Sequence, residues 1–96
     1  MTYIPHPIDP DGAALPPELL AEMETIARNV HETWSVGRMQ EGWTYGPEKD
    51  EARKKTPMLV PYEDLPDSER DFDRNTALAT LRAVVSLGFT IHPPQA

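Results

Sequence analysis

Apolar positions along the chain follow two helical rhythms, separated by a stretch with none. From Leu19 onward, Met23, Ile26, Ala27, Val30 and Trp34 recur at three- and four-residue spacing and draw one stripe. Pro16 and Pro17 suit the opening turn of such a helix, where missing N–H groups cost nothing, and Glu18 and Glu22 favour its positive end. The spacing predicts a first helix from there that fades between Arg38 and Gly42. His31, Trp34 and Arg38 continue along one flank of the stripe, at i, i+3 and i+7.

The second rhythm begins near Pro66, with Asp67 and Glu69 in its first turn. Its pattern predicts Phe72, Ala77, Leu78, Leu81, Val84 and Val85 facing inward, and Gly88 as the residue that stops the helix. Phe89 to Ile91 is a candidate short strand, followed by a loose tail over 92–96. Between the helices, Trp43 to Tyr62 reads as a long irregular connection. Gly42, Gly46 and Pro47 supply turn chemistry, Glu48 to Lys55 could form one exposed helical turn, and Met58 to Val60 read as a short extended piece. Residues 1–14 are rich in Pro, Asp and Gly and predict an extended or turn-like arm, which Tyr3, Ile4 and Ile8 could dock onto the body or which stays loose. There is no internal repeat. The expected fold is mainly α, an α+β miniature: two amphipathic helices joined by a long loop with short extended segments, in one domain spanning 1–96.

Composition narrows the function classes. A chain of 96 residues holds a core near the lower size limit for folding alone, so oligomerisation is a fair expectation. Sixteen acids against nine bases give a net charge of −7, which argues against nucleic-acid binding, normally carried by a basic face. Cysteine is absent, which excludes disulfides and thiol catalysis. No apolar run approaches the ~20 residues of a membrane span, and a cytoplasmic protein is the expectation.

No catalytic constellation is present: there is no nucleophile elbow, phosphate-binding glycine loop or GxGxxG, so the chain is not expected to be an enzyme. His6, His31 and His92 stand on separate segments without ligand spacing, and no metal or cofactor is expected. The remaining interest lies between Ala27 and Tyr62, which holds both tryptophans, two of three tyrosines and one of the three histidines. Trp34 can be read as a core or interface anchor, or as a stacking platform for a flat ligand. Trp43 reads as a plug beneath the loop, and Tyr45 as the residue of that pair able to reach a ligand. His31 on an apolar flank is more often a satisfied core residue than a catalyst. Arg38 and Arg74 sit on half-apolar helices, either in interhelical ion pairs or as phosphate contacts. Lys49, Arg53, Lys54 and Lys55 interleave with acids in a mixed-charge loop. Lys54-Lys55-Thr56-Pro57 has the look of a phosphorylation site.

An ordered set of short motifs resembles the ryanodine receptor repeat, the RyR domain. It comprises Pro5-His6-Pro7-Ile8-Asp9, the LPPEL of Leu15 to Leu19, Ala27 to Glu32 (ARNVHE) with Trp34 and Arg38, Gly42 to Pro47 (GWTYGP), Leu59 to Tyr62 (LVPY), Asp73-Arg74, Thr76-Ala77 and Leu87 to Ile91. Arg28 and Thr56 depart from the usual residues of the pattern, Glu and His. The set looks like the stand-alone, single-copy, prokaryotic type. In the large calcium-release channels such repeats pack in tandem pairs about a pseudo-twofold axis, so the resemblance implies a homodimer here. The paired repeats are associated with adenine nucleotides held between the two copies.

The resemblance therefore implies a non-catalytic binding or sensor module, recognising an adenine nucleotide or related small ligand at a homodimer cleft. Trp34 would stack the base, with His31 and Tyr45 beside it, while Arg38, Lys49 and Lys54 would meet phosphate. The alternative is a protein–protein interaction or scaffolding module with no small ligand. A sensor keeps Trp34 partly accessible with a cation nearby; a scaffold buries it.

Overall fold

The computed structural model describes residues 2–8 and 12–94; parts of the expected arm and tail (1, 9–11 and 95–96) lie outside them. Two long helices form the frame: α2, Met23–Gln40, and α3, Asp67–Ser86. Both close in the same way. At the end of α2, Gly42 takes φ +92, its N–H reaching the Met39 carbonyl at 3.0 Å and that of Trp43 the Arg38 carbonyl at 3.0 Å. At the end of α3, Gly88 takes φ +102, with Gly88 bonded to Val85 and Phe89 to Val84. This pairing satisfies carbonyls left open at a helix end, and glycine supplies the left-handed residue it needs. The predicted stop at Gly88 is the observed one.

The predicted first helix is divided. A single turn, α1, Pro17–Leu20, precedes α2, and Ala21 and Glu22 form the joint. Glu22 bonds back only three residues, to Leu19 at 2.9 Å, and its φ −96, ψ 4 is not helical. Ala and Glu are both good helix formers, so composition gives no mark of this break.

Glu24 meets Arg74, while Trp34 and Glu69 share a cleft, so α2 and α3 lie side by side in opposite directions. The core between and beneath them is small: Ala27, Tyr62 and Leu65, with Met58 and Val60 packed against it. Leu15, Leu59 and Ala77 are also buried. Leu78, Leu81, Val84 and Val85 are half-buried. Phe72 is not inward but 68% exposed. Five residues from Ala77 place it about 140° around the helix from that buried position. The inward positions of that half of α3 are instead held by half-buried Arg70, Asp73 and Arg74.

The connection between the helices is more ordered than its sequence suggests. Strand β1, Thr44–Tyr45, pairs in parallel with β2, Lys55–Thr56, and Asp50 bridges to Lys55 within the loop between them. Lys54 stands at φ +54, and its ammonium donates to the Glu41 carbonyl at 2.7 Å, fastening the loop to the end of α2. Met58 to Val60, expected extended, forms a tight turn in which the Val60 N–H bonds Met58 at 2.9 Å, and it leads into a 3₁₀ turn, Tyr62–Asp64. No strand forms at Phe89–Ile91 among the described residues. Among the described residues, no helix is long and apolar enough to cross a membrane.

Gly46 is buried where the strands meet, and a Cβ there would lie 2.7 Å from the Lys55 Cβ. Gly46→Ala should therefore destabilise the domain by about 1–3 kcal/mol, as overpacking does. Thermal unfolding would measure it; an unchanged midpoint would mean that the strand pair yields freely.

Candidate functional site

Helix geometry puts His31, Trp34 and Arg38 on one flank of α2, and the rings stack along it. The imidazole of His31 and the indole of Trp34 lie nearly parallel, 22° apart, with centroids at 5.7 Å. The Arg38 guanidinium carbon follows, 5.7 Å from the Trp34 ring. The glycine closure of α2 then folds the chain back on itself and brings Trp43 to the same group, at 5.1 Å. Two indoles thus flank one guanidinium, an arrangement favourable to the cation and one that holds it in place. Among the described residues its charged partner is Glu41, at 3.6 Å.

A cleft of about 270 Å³ opens beside this ladder. Trp34, Arg38 and Trp43 line it together with Thr56, Pro57 and Met58, and Lys49 and Glu69 add one charge of each sign. Trp34 also lines a smaller hollow of about 150 Å³, with His31, Phe72 and Asp73. Trp34, Met58 and Glu69 line both hollows. Burial holds the Asp73 carboxyl above its usual range, the charge of Glu69 adds to this, and His31 opposes it. The cleft is therefore cationic at the Arg38 and Lys49 end and acidic at the α3 end.

The residues singled out from sequence divide three ways. Trp34, Arg38 and Lys49 line the cleft. His31 lies behind Trp34, 4% exposed, with its Nε2–H donating to the Val60 carbonyl at 2.6 Å. It supports the indole and touches only the smaller hollow. Tyr45 is exposed on β1, over a separate open depression shared with Lys49, and Lys54 is spent on the Glu41 carbonyl; neither lines the cleft.

Three other expectations resolve. Arg74 is an interhelical ion pair: two of its nitrogens meet Glu24, at 2.8 and 2.7 Å, and a third meets Asp71 at 2.6 Å. Thr56 is not a modification site in this fold, because it is 6% exposed and its hydroxyl accepts the Met58 N–H at 3.2 Å. Arg28, where the RyR pattern carries an acid, pairs with Glu63 and lies over the Tyr62 ring at 5.5 Å.

Trp43, Thr56, Pro57, Met58 and Glu69 entered the cleft unannounced. For Trp43 a signal existed: a glycine at the left-handed stop places the next residue against the one five positions earlier, here Arg38. For Glu69 there was none, since only the packing of α3 against α2 brings it near.

A cleft with stacked aromatics and a fixed cation suits a binding or interaction module. A model of the RyR domain matches residues 3–93, and the chain belongs to that family, whose members are binding or regulatory domains and not a known class of enzyme.

Proposed function

We propose that this chain is a non-catalytic sensor whose Trp34 cleft takes an adenine nucleotide or a related small ligand, with a second copy of the chain closing the cleft. The observation that carries this reading is the state of Trp34. It is half-buried, backed by His31, and has Arg38 at 5.7 Å and Lys49 on the same cleft. A flat base would stack on the indole, and a phosphate would meet the guanidinium fork and the ammonium. Against the acidic surface as a whole, Arg38 and Lys49 give the cleft one cationic end, with Glu41 and Glu51 paired to them and Glu69 at the other end. Tyr45 and Lys54 have no part in this version of the site.

Tryptophan fluorescence titrated with ATP, ADP, ADP-ribose and cyclic nucleotides tests the proposal, with mass in solution measured alongside. A saturable change in a dimer is the expected result. Trp34→Ala should weaken binding by roughly tenfold to a hundredfold, the equivalent of a lost stacking contact of ~1–3 kcal/mol, while the helices persist. A flat response across the panel from a folded dimer would sink the nucleotide reading.

One observation favours a second reading, a protein interaction module. Phe72 stands exposed beside the smaller hollow, where an apolar side chain from a protein partner would cover it. Under that reading Phe72→Ser would abolish partner capture and leave any nucleotide response intact.

A further inference from the structure

The chain exposes far more surface than its mass requires. A compact monomer of 10.8 kDa would show about 5,500 Å². This one shows 7275 Å², a surplus of roughly 1,700 Å². Its radius of gyration, 16.2 Å, likewise exceeds the ~12.5 Å of a compact chain of this length. Such surfaces suit a protein that buries a further face against a partner, for which ~800 Å² per subunit is ordinary.

Part of the surplus lies in the N-terminal arm. Tyr3 and Ile4 are 82% and 68% exposed, Ile8 is exposed too, and among the described residues no hydrogen bond joins 2–8 to the body. Docking of this arm onto its own domain does not occur. Pro5 and Pro7 keep it extended, so docking elsewhere would cost little ordering entropy. A matching surface lies along another flank of α2. Val36 and Met39 are both exposed there, and Met39 borders a groove of about 270 Å³ with Leu59, Val60 and Pro61. They stand two and five residues after Trp34, about 140–200° around the helix from it.

We infer that two copies of this chain exchange arms: Tyr3 and Ile4 of each dock in the groove of the other that Met39, Leu59, Val60 and Pro61 line. The occupant is a second copy because arm and groove are both left open on one molecule, and a reciprocal contact satisfies both at once. Seven extended residues span roughly 20 Å, comparable to the 24 Å shortest dimension of the molecule. An arm of that length crosses to an adjoining copy without passing around it. Neither Trp34 nor Arg38 lines the groove, so the clefts stay free. The inference is independent of whether the cleft takes a nucleotide.

The test is mass in solution by sedimentation, on the full chain and three variants: deletion of residues 2–8, Met39→Glu, and Tyr3→Ser with Ile4→Ser. The full chain should sediment as a dimer. Each variant should raise the dimer dissociation constant by roughly a hundredfold, with helical circular dichroism retained. Mixing the arm-deleted chain with the Met39→Glu chain should restore some dimer, because one intact arm meets one intact groove. A monomeric full chain, or a dimer that survives arm deletion or Met39→Glu, would overturn the exchange. So would a mixture that stays monomeric while each variant is folded. The nucleotide response of Trp34 is read in the full chain, so a flat titration beside an arm-dependent dimer sinks the nucleotide reading alone, and a saturable one beside a dimer that survives arm deletion sinks the exchange alone.

Discussion

Tyr62→Ala should remove most of the stability of the domain and leave it only marginally folded at 25 °C. Tyr62 is 2% exposed and is the largest side chain in a core otherwise built on Ala27 and Leu65. Its ring is touched from three sides: the Arg28 guanidinium at 5.5 Å, the His31 ring at 6.5 Å, and its own hydroxyl donating to Glu24 at 2.8 Å. Truncating a buried aromatic ring costs about 3–5 kcal/mol. A domain of this length has about 5–14 kcal/mol in total, and one with so small a core belongs at the low end. The measurement is helical circular dichroism against urea. Tyr62→Phe is the control, keeping the ring and losing the hydroxyl, for about 1.5 kcal/mol. A cooperative transition for Tyr62→Ala near that of the parent chain would mean that the core lies elsewhere.

The weight carried by Tyr62 also explains what could be read from sequence and what could not. The helix stripe, the position of Gly88 and the common flank of His31, Trp34 and Arg38 are consequences of a 3.6-residue period and of local stop chemistry. They were legible because a helix repeats the same geometry wherever it stands. The misread residues depend on non-local facts. Phe72 looked like part of the inward stripe of α3, but the two-helix contact is occupied by Arg74 and Asp73, whose partners Glu24 and His31 lie some 40–50 residues away. Lys54 looked like a free cation for phosphate. Its backbone sits at φ +54 and its ammonium caps α2, which follows only from the closure of the β1–β2 loop. The cleft follows the same rule. Its α2 wall was visible in the spacing, whereas Glu69 arrived by packing and Trp43 by a turn whose consequence is easily passed over.

Acid should destabilise the domain, and the loss should track Glu24. This carboxylate receives two nitrogens of Arg74 and the hydroxyl of Tyr62, tying α2 to α3 and to the 3₁₀ turn between them. Those partners, Arg74 first, lower its pKa from 4.5 to about 2. A carboxyl with a depressed folded pKa contributes its stability above the unfolded value and loses it as protons are taken up below. The contribution is thus complete above pH ~5 and declines between about 4.5 and 2. Glu63, lowered by its backbone hydrogen bond and by Arg28, acts in the same direction. Asp73 acts in the opposite one: burial raises its pKa, so protonating it favours the fold. The three signs predict an acid transition made shallower by Asp73 and carried chiefly by Glu24. Thermal midpoints from pH 7 to pH 2 should fall most steeply below 4.5 in the parent chain. Glu24→Gln should lower the midpoint at pH 7 and flatten that fall, and Asp73→Asn should steepen it. If Glu24→Gln leaves the acid slope unchanged, the network is a surface decoration and the join between α2 and α3 rests on Ala27, Tyr62 and Ala77 alone.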